Sequence, residues 1–142
     1  MFKEKLFDRE PKDLFKDSIK FVENLFKEQR FLESLIIQFS IVEYLLEFLF
    51  LTRIDNLKIK NDFHTDKYID YTSKLNFYQK IELSAALTFI NKNTYDKLHT
   101  YRKKRNKIVH DSIFKKIDER YASELFKLGK ILIKILMKKC DF

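Results

Sequence analysis

Arg105, Asn106 and His110 are the residues of this chain whose types and spacing can do chemistry. They lie in the run YRKKRNKIVHD, Tyr101 to Asp111, which carries five basic residues and neither Gly nor Pro to mark a loop. Read as a helix, at roughly 100° per residue, Leu98, Tyr101, Arg105 and Ile108 share one stripe; His99, Lys103, Asn106 and His110 share another. Arg105 therefore occupies a position that is ordinarily apolar. A guanidinium there needs a partner, because burying an unpaired charge is costly. Asn106 and His110, four apart, face the same way and can approach a common ligand. Arg105 and His110, five apart, stand about 140° around and about 7.5 Å along a straight helix from each other. One copy cannot close both on one phosphate unless the helix ends near His110. Two copies meeting at a two-fold axis can.

The chemistry that suits this set is metal-free cleavage of RNA. Histidine readily exchanges a proton near neutral pH, so it can take the 2′-hydroxyl proton or supply one to the leaving 5′-oxygen. Arginine presents fixed donors to the charge that builds on the phosphorane oxygens. An amide can orient the imidazole or the phosphate. The reaction uses both a base and an acid, and a symmetric dimer supplies two imidazoles.

The elements that must position these groups read as helices. With 142 residues the chain has one domain's worth of core. One Gly and one Pro argue against a β-rich fold, which needs frequent turn residues. The expected architecture is all-α, an antiparallel bundle of four main helices with a short extra helix around Lys67–Lys74. Pro11 suits a first helical position, and Phe15, Ile19, Val22 and Phe26 follow as an apolar stripe. A break near Glu28–Arg30 precedes a longer helix from Phe31 to about Thr52, apolar around most of its circumference and so central. Arg53–Lys67 reads as a loop. Asn76–Gln79 resembles a capping box opening the helix Tyr78–Ile90, and Asn93 with Asp96 can cap the next. After an interruption at His110–Ser112, a last helix places Tyr121, Leu125, Leu128, Ile131, Leu132 and Ile135 on its apolar side.

Charge is unevenly placed. Residues 1–91 hold 14 Lys/Arg against 15 Asp/Glu, and residues 92–142 hold 15 against 6. The whole basic excess belongs to the last third of the chain, as for a face that meets a polyanion. The lone Cys140 excludes a disulfide framework or zinc knuckle and fits a reducing compartment. Leu35–Leu51 is apolar for 17 residues but contains Gln38, Ser40, Glu43 and Glu47, which reads as a buried helix rather than a membrane span. The opening MFKEKLFDREPK has no apolar core of a secretory signal. A cytoplasmic protein without membrane association is expected.

RNKIVH, Arg105 to His110, resembles the Arg-x(4–6)-His signature of HEPN-domain ribonucleases, in its Arg-Asn-x-x-x-His form. FKEQRFLESLIIQFSIVEYLLEFLF is similar to that family's first helical hairpin, and KLNFYQKIELSAALTFI to the amphipathic helix before the signature. The resemblance implies a single HEPN-like helical domain over residues 1–142 that dimerises and brings two motifs into one cleft. It implies an endoribonuclease needing neither metal nor cofactor, of a toxin or phage-defence kind, with an antitoxin or regulator protein as a further partner. Arg105 and His110 would be catalytic and Asn106 positioning. A subgroup neutralised by nucleotide transfer has Tyr two residues after the motif His; Ser112 stands there instead, so that transfer is not expected.

Plainer readings stand beside these. Arg102, Lys103, Lys104 and Lys107 are expected to hold RNA backbone, although basic runs are often solvated faces. Glu43 and Glu47, one turn apart, can back Arg105 as a second tier of contacts or be the wet edge of their helix. His99 reads as structural and His64, between Asp62 and Asp66, as a surface residue rather than a metal ligand. The rival functions are a non-catalytic module of the same fold that binds RNA, nucleotide or protein, and a purely structural dimerisation protein.

Overall fold

The computed structural model describes residues 10–56 and 74–142. Five helices are present among them and no strand: α1 Pro11–Lys27, α2 Phe31–Asn56, α3 Phe77–Ala86, α4 Lys92–Asp111 and α5 Glu119–Lys139. The all-helical expectation holds; the helix count among the described residues is five, against the four main helices expected. His64, most of the expected loop and, save Lys74, the extra helix around Lys67–Lys74 lie outside the described residues.

Each helix begins where local chemistry permits. Pro11 takes the first position of α1, with Asp13 in the first turn and Lys27 in the last, both favourable to the helix dipole. The Asn76 side chain accepts from the Gln79 amide at 2.8 Å while Gln79 Oε1 accepts from the Asn76 amide at 3.0 Å, a complete capping box. Asp118 caps α5 by accepting from the Arg120 and Tyr121 amides. The α4 cap is Asn91, not Asn93: its side chain accepts from the Thr94 amide at 2.9 Å. Asn93 already lies in the first turn, where it accepts from Lys97 Nζ.

Helix ends depart further from expectation. α3 stops at Ala86, short of Ile90, because Thr88 turns into the left-handed region at φ 62°. The Thr88 and Phe89 amides donate back to Ala85 and Ser84. Gln29 and Asp141 end α1 and α5 in the same way. This is the Schellman stop, usually made with glycine. α2 runs through Asn56, beyond Thr52, whose hydroxyl donates to the carbonyls of Phe48 and Leu49 inside the helix.

Contacts fix the helix directions. α1 meets α2 antiparallel, Ser34 Oγ donating to the Val22 carbonyl. α3 lies antiparallel to α4, with Glu82 beside Tyr95 and Tyr78 beside His99. α2 runs parallel to α3, Phe39 meeting Phe77 and Phe50 meeting Phe89. It is also parallel to α5, Gln38 bonding the Phe126 carbonyl and Arg53 the Lys139 carbonyl. The bundle thus mixes parallel and antiparallel neighbours. By length and composition α2 can cross a membrane, but it packs against all four other helices and buries Leu35, Val42, Leu45, Leu46 and Leu49. It is the core.

One polar bridge crosses that core. Gln38 is fully buried; its Nε2 donates to the Phe126 carbonyl at 2.9 Å and its Oε1 accepts from the Tyr101 hydroxyl at 2.8 Å. The chain's single glycine, Gly129, makes room for it: a Cβ there would collide with the Gln38 amide. Burial pushes the Tyr101 phenol above its usual range. α5 presents Ala122, Leu125, Leu132, Ile133 and Leu136 to the core, whereas Ile131, expected inside, is exposed.

Candidate active site on helix α4

Leu98, Tyr101 and Ile108 are buried on one side of α4, and Arg105 shares that stripe. Its partner is an aromatic ring. The guanidinium carbon lies 4.1 Å from the Phe39 ring centroid, and Nη1 donates to Asn106 Oδ1 at 3.2 Å. Phe39 is itself fixed between Phe77 and Tyr101, so the buried Gln38–Tyr101 bridge also steadies the surface on which Arg105 rests. Such a contact contributes about 0.5–2 kcal/mol, depending on desolvation. No carboxylate among the described residues pairs with Arg105, and its Nε is buried without an acceptor. Its charge is held in place, and no described carboxylate neutralises it.

Glu43 and Glu47 do not back Arg105. They meet Lys80 instead, Nζ lying 3.1 Å from Glu43 Oε1 and 3.8 Å from Glu47 Oε2. Lys80 is nearly buried on α3, and its ammonium is compensated there by two carboxylates.

His110 occupies the last turn of α4 with its side chain 76% exposed. Nδ1 stands 3.5 Å from Asp111 Oδ1, and the ring packs at 6.0 Å from that of Phe114. A neutral ring with its proton on Nδ1, toward Asp111, leaves the Nε2 lone pair free for solvent or substrate. α4 ends at Asp111 with Ser112 as its cap, the Ser112 hydroxyl donating to the Val109 carbonyl. Among the described residues no contact joins Arg105 to His110; Asn106 is exposed between them. The helix C-terminus disfavours an anion, so attraction for phosphate has to come from side chains.

The basic residues divide. Lys103 and Lys107 are exposed, Lys104 is half-buried, and Lys107 Nζ lies 5.9 Å from the Tyr121 ring. Arg102 is half-buried and engaged by its neighbours: its guanidinium lies over the exposed Tyr78 ring at 5.0 Å and Nε donates to His99 Nδ1 at 3.4 Å. His99 is structural, as expected, its Nε2 2.9 Å from Glu82 Oε1. The Tyr95 hydroxyl also donates to Glu82 at 2.6 Å, which lowers the carboxyl below its usual range and pushes the phenol up to about 12. No group of three or more His, Cys, Asp or Glu among the described residues is arranged to hold a metal.

Two contributors escaped the sequence reading. Phe39 looked like one more core residue of α2, and nothing in its neighbours signals a guanidinium. Phe114 did leave a sign: an apolar pair, Ile113–Phe114, in a polar turn directly before Lys115 and Lys116. No family model, curated protein or solved structure matches this chain.

Proposed function

We propose that this chain is a HEPN-type endoribonuclease that cleaves RNA without a metal or cofactor, working as a cytoplasmic homodimer in a toxin or phage-defence role. The observation that carries the reading is Arg105, a cation pinned to an aromatic face on the helix of an exposed His110, with no carboxylate among the described residues to neutralise it.

The step is an in-line transfer. His110 Nε2 takes the proton of the 2′-hydroxyl as that oxygen attacks phosphorus; the bond to the 5′-oxygen breaks, and the partner's His110 returns a proton to that oxygen. Arg105 binds the phosphorane charge, and Asn106 orients it through the contact with Nη1. Lys103, Lys104 and Lys107 hold the flanking backbone, with Arg102 as a more constrained contributor. The products are a 2′,3′-cyclic phosphate and a 5′-hydroxyl.

Purified wild type, His110→Ala and Arg105→Ala, incubated with labelled RNA in EDTA, test this. Wild type is expected to cut, and each variant to lose at least about a hundredfold in rate with its helical circular dichroism intact. Salt-sensitive binding without scission would mark the protein as a binding module instead. Unchanged cutting by either variant removes that residue from the mechanism.

A further inference from the structure

Ile113 and Phe114 stand in the turn between α4 and α5, 73% and 77% exposed. Phe114 touches the ring of His110, and exposed Lys115 and Lys116 follow it directly. Next to it in the same turn is a hollow of about 220 Å³ walled by Lys107, Lys115, Lys116 and Tyr121 together with the carboxylates Asp111 and Asp118; Phe114 stands outside its wall. An uncovered aromatic ring among lysines is the makeup of a surface for single-stranded nucleic acid, since bases stack on the ring while cations follow the backbone. Along its length a duplex offers no such partner, because its internal base faces are already stacked. Packed directly against a second copy, the turn would press these lysines toward like charges; facing a groove, they meet phosphate.

We infer that Phe114 is a base-stacking platform for unpaired RNA, and that Lys107, Lys115 and Lys116 hold the phosphate adjoining the stacked base. The nucleotide so held flanks the bond that His110 acts on, which makes this turn the element that selects single-stranded substrate. This rests on the nuclease reading for the role of His110, while the platform itself can be tested by binding alone.

The chain has no tryptophan, so Phe114→Trp places a sole indole reporter at the platform. Its emission is titrated with a short single-stranded 2′-O-methyl RNA, which lacks the attacking hydroxyl, and with a long duplex, whose ends are few beside its internal, fully stacked base pairs. Strong quenching by the single strand alone is expected. Phe114→Ala is expected to lose about tenfold in single-strand affinity and to bind duplex as wild type does. Undiminished single-strand binding by Phe114→Ala, or an unquenched indole on bound RNA, overturns the proposal. A halved molecular mass for Phe114→Ala in solution also overturns it, by placing the ring in a subunit interface. Cleavage of ordinary RNA by wild type in EDTA is scored separately. No cleavage with a quenched indole ends the nuclease reading and leaves the platform. Cleavage with undiminished binding by Phe114→Ala does the reverse.

Discussion

Arg105 gains its position from a ring on another helix, and this separates its geometry from its charge. Lysine keeps the charge but lacks the planar fork that stands over the Phe39 ring and presents paired donors. Arg105→Lys is therefore expected to cleave RNA no more than about tenfold faster than Arg105→Ala. Phe39→Leu keeps most of the buried volume and removes the π face. It is expected to lower kcat by about tenfold, the equivalent of about 1.4 kcal/mol of lost cation–π contact, with KM for RNA little changed. A change in KM alone would mean that Phe39 serves substrate binding rather than the placement of Arg105. The odd location of Arg105, on the stripe of Leu98, Tyr101 and Ile108, was legible from helical angle alone. Its true partner was not, because Phe39 reaches it only through tertiary packing. The same limit misdirected Glu43 and Glu47: a sequence shows two acids on an apolar helix, but not that Lys80 of α3 will lie between them.

Helix starts were mostly legible because caps act over three or four residues; the box at Asn76–Gln79 formed as read. Helix ends were harder. Gln29, Thr88 and Asp141 make stops that usually use glycine, and the one glycine is spent inside α5 to admit Gln38. A β-branched residue in the left-handed region costs about 1–2 kcal/mol. Thr88→Gly is thus expected to raise stability by about 1 kcal/mol in urea unfolding. Gly129→Ala should lower it by about 1–3 kcal/mol through overpacking, and its loss combined with that of Gln38→Ala should be less than the sum of the two. If Gly129→Ala is neutral, the close approach of α2 and α5 at the Gln38 bridge is not tight. That bridge carries consequences for the site as well, since Tyr101 is both its far end and the neighbour of Phe39.

On the scale of the whole molecule, α4, its following turn and α5 carry the basic excess, while the rest of the chain is close to neutral. Neither ring nor charge closes the site within one copy: Arg105 and His110 share a helix without touching, and the proposed reaction uses a second imidazole. The proposed chemistry therefore depends on two copies pairing, whereas the helices that carry it are visible in periodicity within one chain. The nature of the cut ends tests that chemistry most directly. RNA incubated with the wild-type protein in EDTA and analysed by mass spectrometry should yield fragments ending in 2′,3′-cyclic phosphate and beginning with 5′-hydroxyl. Fragments with 3′-hydroxyl and 5′-phosphate ends, or RNA left intact, would contradict attack by the neighbouring 2′-oxygen under His110 and Arg105.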